Sequence, residues 1–515
     1  MKNNITGLAI INLLLAAIAL LKDVLLAAYL GTSPEADALL LAFFIPDTLG
    51  NNLLAAAIGT ASVPVFSVLY VSGRPRELRK CITSTVSVFV AATVILSMVL
   101  FAFRGPLICT LGSGMTSGTL TLCLKLFILL LPTVIMFPLV TIGSSVMHVH
   151  GSFKIPALAP VIFNFVFLFA LLYCYVVNIS VSRGVYITAG GITISVLLMI
   201  TLVWGSLLKY SGQGFEHTAF KQAGDKPSTD RFKHLGDILK TFFPYLLMLL
   251  ASQSVLSIER FLASRFDEGS ISGLNYAYRL AQFPIWVFVA AISTVILPSM
   301  SKSKGLGQME ELKKTFEKSL QLIFTIAIPL TVVLYIMRVP VITVLLMHGA
   351  FDEKSLRITS GILAGYAFAI LGQSIMFVSM RVFLAIGRML LPLAAFLASA
   401  LANIGIDFYL TGKIGLPGLG YGAAAGALIS TVLILALLQK KLDLNLKVSS
   451  RYALKIAAAN IPLILTVLLF SRLWDVLPAD SGLIIQSLFV FVSLIASFSV
   501  YLVTLRNCKV AFCNI

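Results

Sequence analysis

The chain has 515 residues, of which 59% are hydrophobic and 11% charged, with a formal net charge of +17. Soluble domains carry about 25% charged residues, and no soluble core of this length needs so much apolar surface, so the composition points to a polytopic membrane protein. Lys and Arg gathered in cytoplasmic loops account for the positive charge, which therefore calls for no nucleic-acid partner.

Apolar runs of spanning length fall at 5–30, 37–70, 83–103, 120–147, 157–178, 184–208, 238–263, 271–298, 317–337, 358–380, 386–410, 418–438, 453–473 and 483–505. They predict an all-α fold of fourteen transmembrane helices. The first run, "LLAAIALLKDVLLAAYL" over 14–30, carries Lys22 and Asp23 in its middle. A charge at a bilayer centre costs about 2.5–3.5 kcal/mol, so this helix must face a partner or water. The same interruption is unlike the apolar core of a signal peptide. The second run holds Asp47, Asn51 and Asn52 at helical spacing. The seventh holds "SQS" at 252–254, then Glu259 and Arg260 in "SVLSIERFLASRFDEG"; the eighth holds Asn275, Tyr276, Arg279 and Gln282 in "SGLNYAYRLAQFP". In the eleventh, "ANIGIDFYL" sets Asn403 and Asp407 four residues apart on one helix face.

With the N-terminus inside, 26 of the 38 Lys and Arg fall in inner segments or the span ends beside them, 10 in outer segments or the span ends beside them, and two, Lys22 and Arg279, deeper within spans. This bias places both termini in the cytoplasm. The polar stretch 210–237 reads as a cytoplasmic linker between an N-terminal six-helix lobe, 1–209, and a C-terminal six-helix lobe, 238–440, with two further helices in 441–515. The lobes look like repeats. "IPDTL" at Pro46 matches "FPIWV" at Pro284, "SVPVFS" at Pro64 matches "ILPSMS" at Pro298, and "GSFKIPALA" at Pro156 matches "GRMLLPLAA" at Pro392, at offsets of 238, 234 and 236. Lys22 and Arg260 also stand 238 apart. An even number of helices per copy makes the repeats parallel, about an axis along the membrane normal, and transporters built this way hold substrate between halves that rock.

Lys22, Arg260 and Arg279 would then offer cationic groups to a hydrated chamber. Guanidinium forks and a lysine point charge suit a pyrophosphate. The plainer alternatives are a structural ion pair for Lys22 and snorkelling for Glu259 or Arg260 near a helix end. Enzyme chemistry finds no support, because G-x-S-x-G, H-E-x-x-H and P-loop patterns do not occur. The six cysteines, Cys81, Cys109, Cys123, Cys174, Cys508 and Cys513, lack metal-ligand spacing, although Cys109 and Cys123 could face one outer loop.

"GTSPEADALLLAFFIPDTL", "VPVFS", "GSFKIPALAP", "GAFDEKS" and above all "ERFLASRFDEGSISGLNYAYRLAQFPIWVFVAAISTVILPSMSK" (259–302) resemble the MurJ/MviN lipid II flippases of the MOP superfamily, over nearly the whole chain. The resemblance implies a monomeric, cofactor-free transporter of peptidoglycan biosynthesis, serving the cell wall and cell shape. It would sit multi-pass in the bacterial inner membrane, among membrane lipids. It would move an undecaprenyl-pyrophosphate-linked precursor, lipid II, from the inner to the outer leaflet by alternating access. Lys22 and Asp23 match the family's basic and acidic cavity residues, Asp37 the acidic residue ahead of the second helix's apolar run, and Arg279 the arginine of the eighth helix. Two departures are visible: Ala16 stands where many members have arginine, and "LGNNLLAAAIG" puts Gly50 and Asn51 in further arginine positions. They leave open a flippase for another undecaprenyl-pyrophosphate-linked polysaccharide; a MATE-like drug/cation antiporter and a membrane glycosyltransferase are the more distant alternatives. Some relatives bind sodium, for which Glu259, Asn403 and Asp407 would be the oxygen ligands, while Ala423, Ala424 and Ala425 stand where a hydroxyl is expected.

Overall fold

The computed structural model describes residues 2–214, 233–289, 292, 300, 303–304, 306–386, 391–442, 446–478 and 481–507. Most of the expected linker 210–237 therefore lies outside the described residues, as do Pro298 of the second repeat motif and Cys508 and Cys513. Among the described residues the chain is helical, with no strand. Thirteen helical segments there are long and apolar enough to cross a bilayer. The remaining expected span, 271–298, is described through Val289 and at residue 292.

The chain forms two compact units, residues 1–271 and 272–515. The first contains α1 (Lys2–Leu30), α2 (Pro34–Pro46), a π-helical stretch π1 (Asp47–Ala55), α3 (Ala56–Val71), α4 (Pro75–Ala102), α5 (Arg104–Leu111), α6 (Ser117–Leu130), α7 (Thr133–Val149), α8 (Lys154–Val176), α9 (Val181–Gly214) and α10 (Lys233–Ala263). In it α1 packs along α8, α8 along α9, α2 on α6, and π1 and α3 on α7, while α10 lies against α3 and π1. The second begins in α11 (Ser270–Pro284) and continues with π2 (Ile285–Val289), α12 (Met309–Ile336), α13 (Arg338–Leu346), α14 (Glu353–Ala385), α15 (Leu391–Ile414), α16 (Gly418–Leu442), α17 (Leu446–Val476) and α18 (Leu483–Asn507). Here α16 packs between α14 and α15, and α12 between α14 and α17. A core cluster of this unit joins Phe316, Ile323, Ile370, Phe383, Leu438 and Leu463 from these helices.

Local chemistry sets the helix ends that matter for the site. Ser33 caps α2, its hydroxyl accepting from the Ala36 N–H at 3.1 Å. Pro34 occupies the first turn, with Glu35 and Asp37 beside the positive end of the helix dipole. α2 then passes through Pro46, whose ring supplies no N–H to the ladder, and the wider π1 turn follows at once.

The repeat is visible in backbone detail. π1 follows Pro46 and π2 follows Pro284, 238 residues later. The α4–α5 and α12–α13 junctions are alike too. Each breaks at one residue of nearly equal conformation, Phe103 (φ −97°, ψ 14°) and Met337 (φ −92°, ψ 15°). In each the next residue is an arginine that donates back to the carbonyl three residues earlier. Arg104 reaches Phe101 O at 2.6 Å and Arg338 reaches Tyr335 O at 2.5 Å. The two guanidinium groups lie 4.2 Å and 5.2 Å from the centroids of those same rings. Arg-x-Pro opens both short helices, and differing flanking residues hide the pair in the sequence.

Cys123 is buried on α6 and Cys109 exposed on α5, and both are free thiols.

Candidate functional site

Lys22 is only 4% exposed. Its ammonium pairs with Asp23 Oδ1 at 3.0 Å and sits 5.0 Å from the centre of the Phe167 ring on α8. The carboxylate offsets the lysine's charge and the negative face of the ring attracts it. The α1–α8 packing presses the pair together, and the cost of charge within the span is met locally.

Asp37, 4% exposed, accepts the Gly269 N–H at 2.7 Å. Gly269 has φ +95°, and a Cβ there would overlap the Thr32 carbonyl oxygen. A second turn presses on the same region: Gly114, between α5 and α6, lies where a Cβ would overlap Ser264 and Arg265. The turn after α10 is thus sealed against the α1–α2 turn and the α5–α6 turn, within the first unit.

Arg260 donates to the Leu256 carbonyl at 3.0 Å and lies 3.9 Å from the Phe44 ring centre, so α10 is tied to α2 by a cation–π contact. Glu259, the preceding residue, is 2% exposed. On π1, Asn51 and Asn52 donate to the two oxygens of Asp47, at 3.0 Å and 3.1 Å. One basic-acidic contact of this unit was not anticipated. His234 Nε2 lies 3.0 Å from Glu77 Oε2, tying the start of α10 to the first turn of α4. No local pattern marks it, because the two residues are 157 positions apart.

In the second unit Arg279 is half-buried, with its guanidinium carbon 5.7 Å from the Trp286 ring centre. Its Nε is buried without a hydrogen-bond partner. One turn on, Gln282 donates to Gln373 of α14 at 2.7 Å. Tyr278 meets Tyr366 edge-on at 5.9 Å. Asp407 is fully buried and Asn403 nearly so. With its nitrogen toward the carboxylate, the Asn403 carboxamide donates to both Asp407 oxygens at 2.9 Å and 3.2 Å. Turned over, it sets its oxygen beside them, as oxygens cluster around a hard cation. Gly422 leaves no room to spare, since a Cβ there would overlap Asp407 Oδ1. The structure thus brings together Lys22 with Asp23, Asn51 with Asp47, and Asn403 with Asp407. Glu259 belongs to the first unit, whereas Arg279, Asn403 and Asp407 belong to the second.

The geometry defines a helical membrane protein with charged groups set inside its spans. Its fold is that of the MOP-superfamily transporters: a MATE-family multidrug resistance transporter in an inward-facing conformation matches with a TM-score of 0.69 at 15% identity, over 84% of this chain and 98% of that one. A structure described as lipid II flippase MurJ, inward closed conformation, matches with a TM-score of 0.77 at 24% identity, over 97% of this chain and 99% of that one. The curated lipid II flippase MurJ of Burkholderia cenocepacia is 24% identical over 433 residues, which is 84% of this chain and 82% of that protein. The model of the family described as "Lipid II flippase MurJ" matches residues 26–498, and the chain belongs to that family.

Proposed function

We propose that this chain carries lipid II, an undecaprenyl-pyrophosphate-linked peptidoglycan precursor, from the inner to the outer leaflet of the bacterial cytoplasmic membrane. It is a transporter, not an enzyme, and family membership over 26–498 is the observation that carries the reading. The buried Lys22–Asp23 pair supports it chemically: a lysine nitrogen held inside a span beside one carboxylate is the kind of group that receives a pyrophosphate. Arg260 and Arg279 are the further cationic candidates. Arg260 lies against the Phe44 ring and donates to the Leu256 carbonyl, Arg279 lies against the Trp286 ring with its Nε buried without a hydrogen-bond partner, and guanidinium forks match the oxygens of an anion. Asp37 on Gly269 acts as an outer lock that opens when the headgroup is released by alternating access. Both termini lie in the cytoplasm in this reading, which the Lys and Arg bias of the loops supports, and the chain works as a monomer.

Sodium bound at Asp407 and Asn403 couples the cycle in this reading. The two side chains supply the anionic and neutral oxygens that sodium accepts, and the carboxamide needs only to turn over. Gly50 and Asn51, standing in arginine positions of the family, favour a second reading in which a different undecaprenyl-pyrophosphate-linked glycan is carried.

Complementation separates the two. In a strain depleted of its own lipid II flippase, expression of this chain is expected to restore growth and lipid II turnover. Lysis despite normal amounts of the chain in the membrane assigns it to another glycan.

A further inference from the structure

π1 and π2 are one backbone device placed at matched positions in the two repeats, each starting at the residue after its proline. Their sequences share no residue at that offset, and three of the differences set an apolar residue against a polar side chain of π1. Asp47, Asn51 and Asn52 of the first correspond, 238 residues on, to Ile285, Val289 and Ala290 of the second. Ile285 and Val289 are buried core residues. A π-helix at this place therefore forms without polar side chains, and the polar trio of π1 is not there to make the turn.

The trio is nonetheless organised. In an α-helix the residue five places on lies about 140° around the axis. The wider turn of π1 brings Asn52 alongside Asp47, so that Asn51 and Asn52 grip one carboxylate oxygen each, at 3.0 Å and 3.1 Å. Gly50 lets π1 press onto α7: a Cβ there would come 2.9 Å from the Val134 Cα. Asn51 is exposed, and Asp47 and Asn52 are half-buried.

The donor and acceptor inventory selects a ligand. Each carboxamide spends one N–H on Asp47 and keeps a second N–H and its carbonyl oxygen, while the carboxylate keeps further lone pairs. The surface is rich in acceptors, has two spare donors and is net anionic. It repels a pyrophosphate and matches sugar hydroxyl and acetamido groups, which donate and accept in turn. We propose that Asp47, Asn51 and Asn52 form a saccharide-binding site that reads the sugar part of the lipid-linked headgroup, distinct from the cationic side chains that take its pyrophosphate. This deepens, and rests on, the assignment of the chain as a carrier of a pyrophosphate-linked glycan lipid.

The second repeat supplies the test variant. Asp47→Ile and Asn51→Val write the π2 residues Ile285 and Val289 into π1, and Asn52→Ala removes the third polar side chain. The full-length protein and this triple variant, reconstituted in nanodiscs, are titrated with three lipids: undecaprenyl pyrophosphate, its disaccharide-bearing form and complete lipid II. The unaltered protein is expected to bind both glycan lipids more tightly than the bare carrier. The variant is expected to bind them at least about tenfold more weakly, the scale of one or two lost hydrogen bonds to a charged group, with affinity for the bare carrier unchanged. Equal weakening for all three lipids, or no weakening, overturns the saccharide site. A loss confined to complete lipid II overturns it in favour of a contact with the peptide ammonium groups. If the unaltered protein shows no preference for glycan lipids over the bare carrier, the carrier assignment itself fails.

Discussion

The Asp37 carboxylate holds the Gly269 N–H at 2.7 Å across 232 residues of sequence, in a place from which water is nearly excluded. Three features converge on this bond. The first turn of α2 favours an anion, the left-handed backbone of Gly269 turns its amide toward Asp37, and the Thr32 carbonyl leaves space only for a glycine hydrogen. Asp37→Ala strands the amide, at a cost of about 1–3 kcal/mol. Hydrogen exchange at Gly269 should accelerate by about tenfold or more, with Asp37→Asn, which keeps an acceptor, in between. Unchanged protection in Asp37→Ala would show that these turns are held by packing alone.

Gly269→Ala should be worse than either Asp37 variant. It forces an L-residue to φ +95° and drives a methyl group into the Thr32 carbonyl. The expected result is a lower melting temperature in detergent than that of Asp37→Ala. Equal melting of Gly269→Ala and the unaltered protein would mean that the turn relaxes freely.

How much of this was legible beforehand follows from what each feature depends on. Spans were legible because twenty apolar residues in a row have few other uses, and Lys22 stood out because it breaks such a run. The repeat was legible through prolines at near-constant offset. Asp47, Asn51 and Asn52 stood out as polar residues at helical spacing, but the bond of Asn52 to Asp47 was not legible, because five places on lies about 140° around an α-helix and only the π-helical turn closes that gap. Nor were the Asp37–Gly269 and Glu77–His234 contacts, which join distant segments through tertiary packing and leave no periodic trace.

The Lys22–Asp23 pair separates folding from transport. Removing either partner leaves a charge in an apolar span, and breaking a buried pair costs about 3–5 kcal/mol. Lys22→Met with Asp23→Asn removes both charges at nearly constant volume. The double variant should recover most of the melting temperature lost by Lys22→Met alone, yet fail complementation, while Lys22→Arg keeps partial function. Full complementation by the double variant would reduce the pair to a structural contact.

Outside the spans, Asp352 caps α14, accepting from the Ser355 N–H and hydroxyl, both at 2.8 Å. These bonds hold its carboxyl below the ordinary value of 3.8. A depressed folded value means that the cap contributes stability in full above the ordinary carboxylate range and loses it as pH falls through the folded value. Amide exchange in the first turn of α14, corrected for its intrinsic pH dependence, should therefore rise selectively below about pH 4. Asp352→Ala should remove that pH dependence and cost about 1 kcal/mol at neutral pH. A pH profile shared by the variant would assign the effect to other carboxylates.

Asp407 tests the coupling ion. It is fully buried, with Asn403 on its carboxylate and Gly422 packed against its Oδ1. An ion that binds only the folded protein raises its stability by about 2.7 kcal/mol at one hundred times the dissociation constant. Replacing potassium by sodium at constant ionic strength should raise the melting temperature of the unaltered protein. Asp407→Asn should abolish that rise, because it removes the anionic oxygen while keeping shape and hydrogen bonding. Asn403→Ala should diminish it, since the carboxylate remains. Gly422→Ala should also diminish it, by displacing the carboxylate, and its own melting temperature should fall from the methyl overlap. A sodium shift that survives in Asp407→Asn places the ion elsewhere, and the absence of any shift in the unaltered protein leaves membrane potential as the driving force, at about 2.3 kcal/mol per charge per 100 mV.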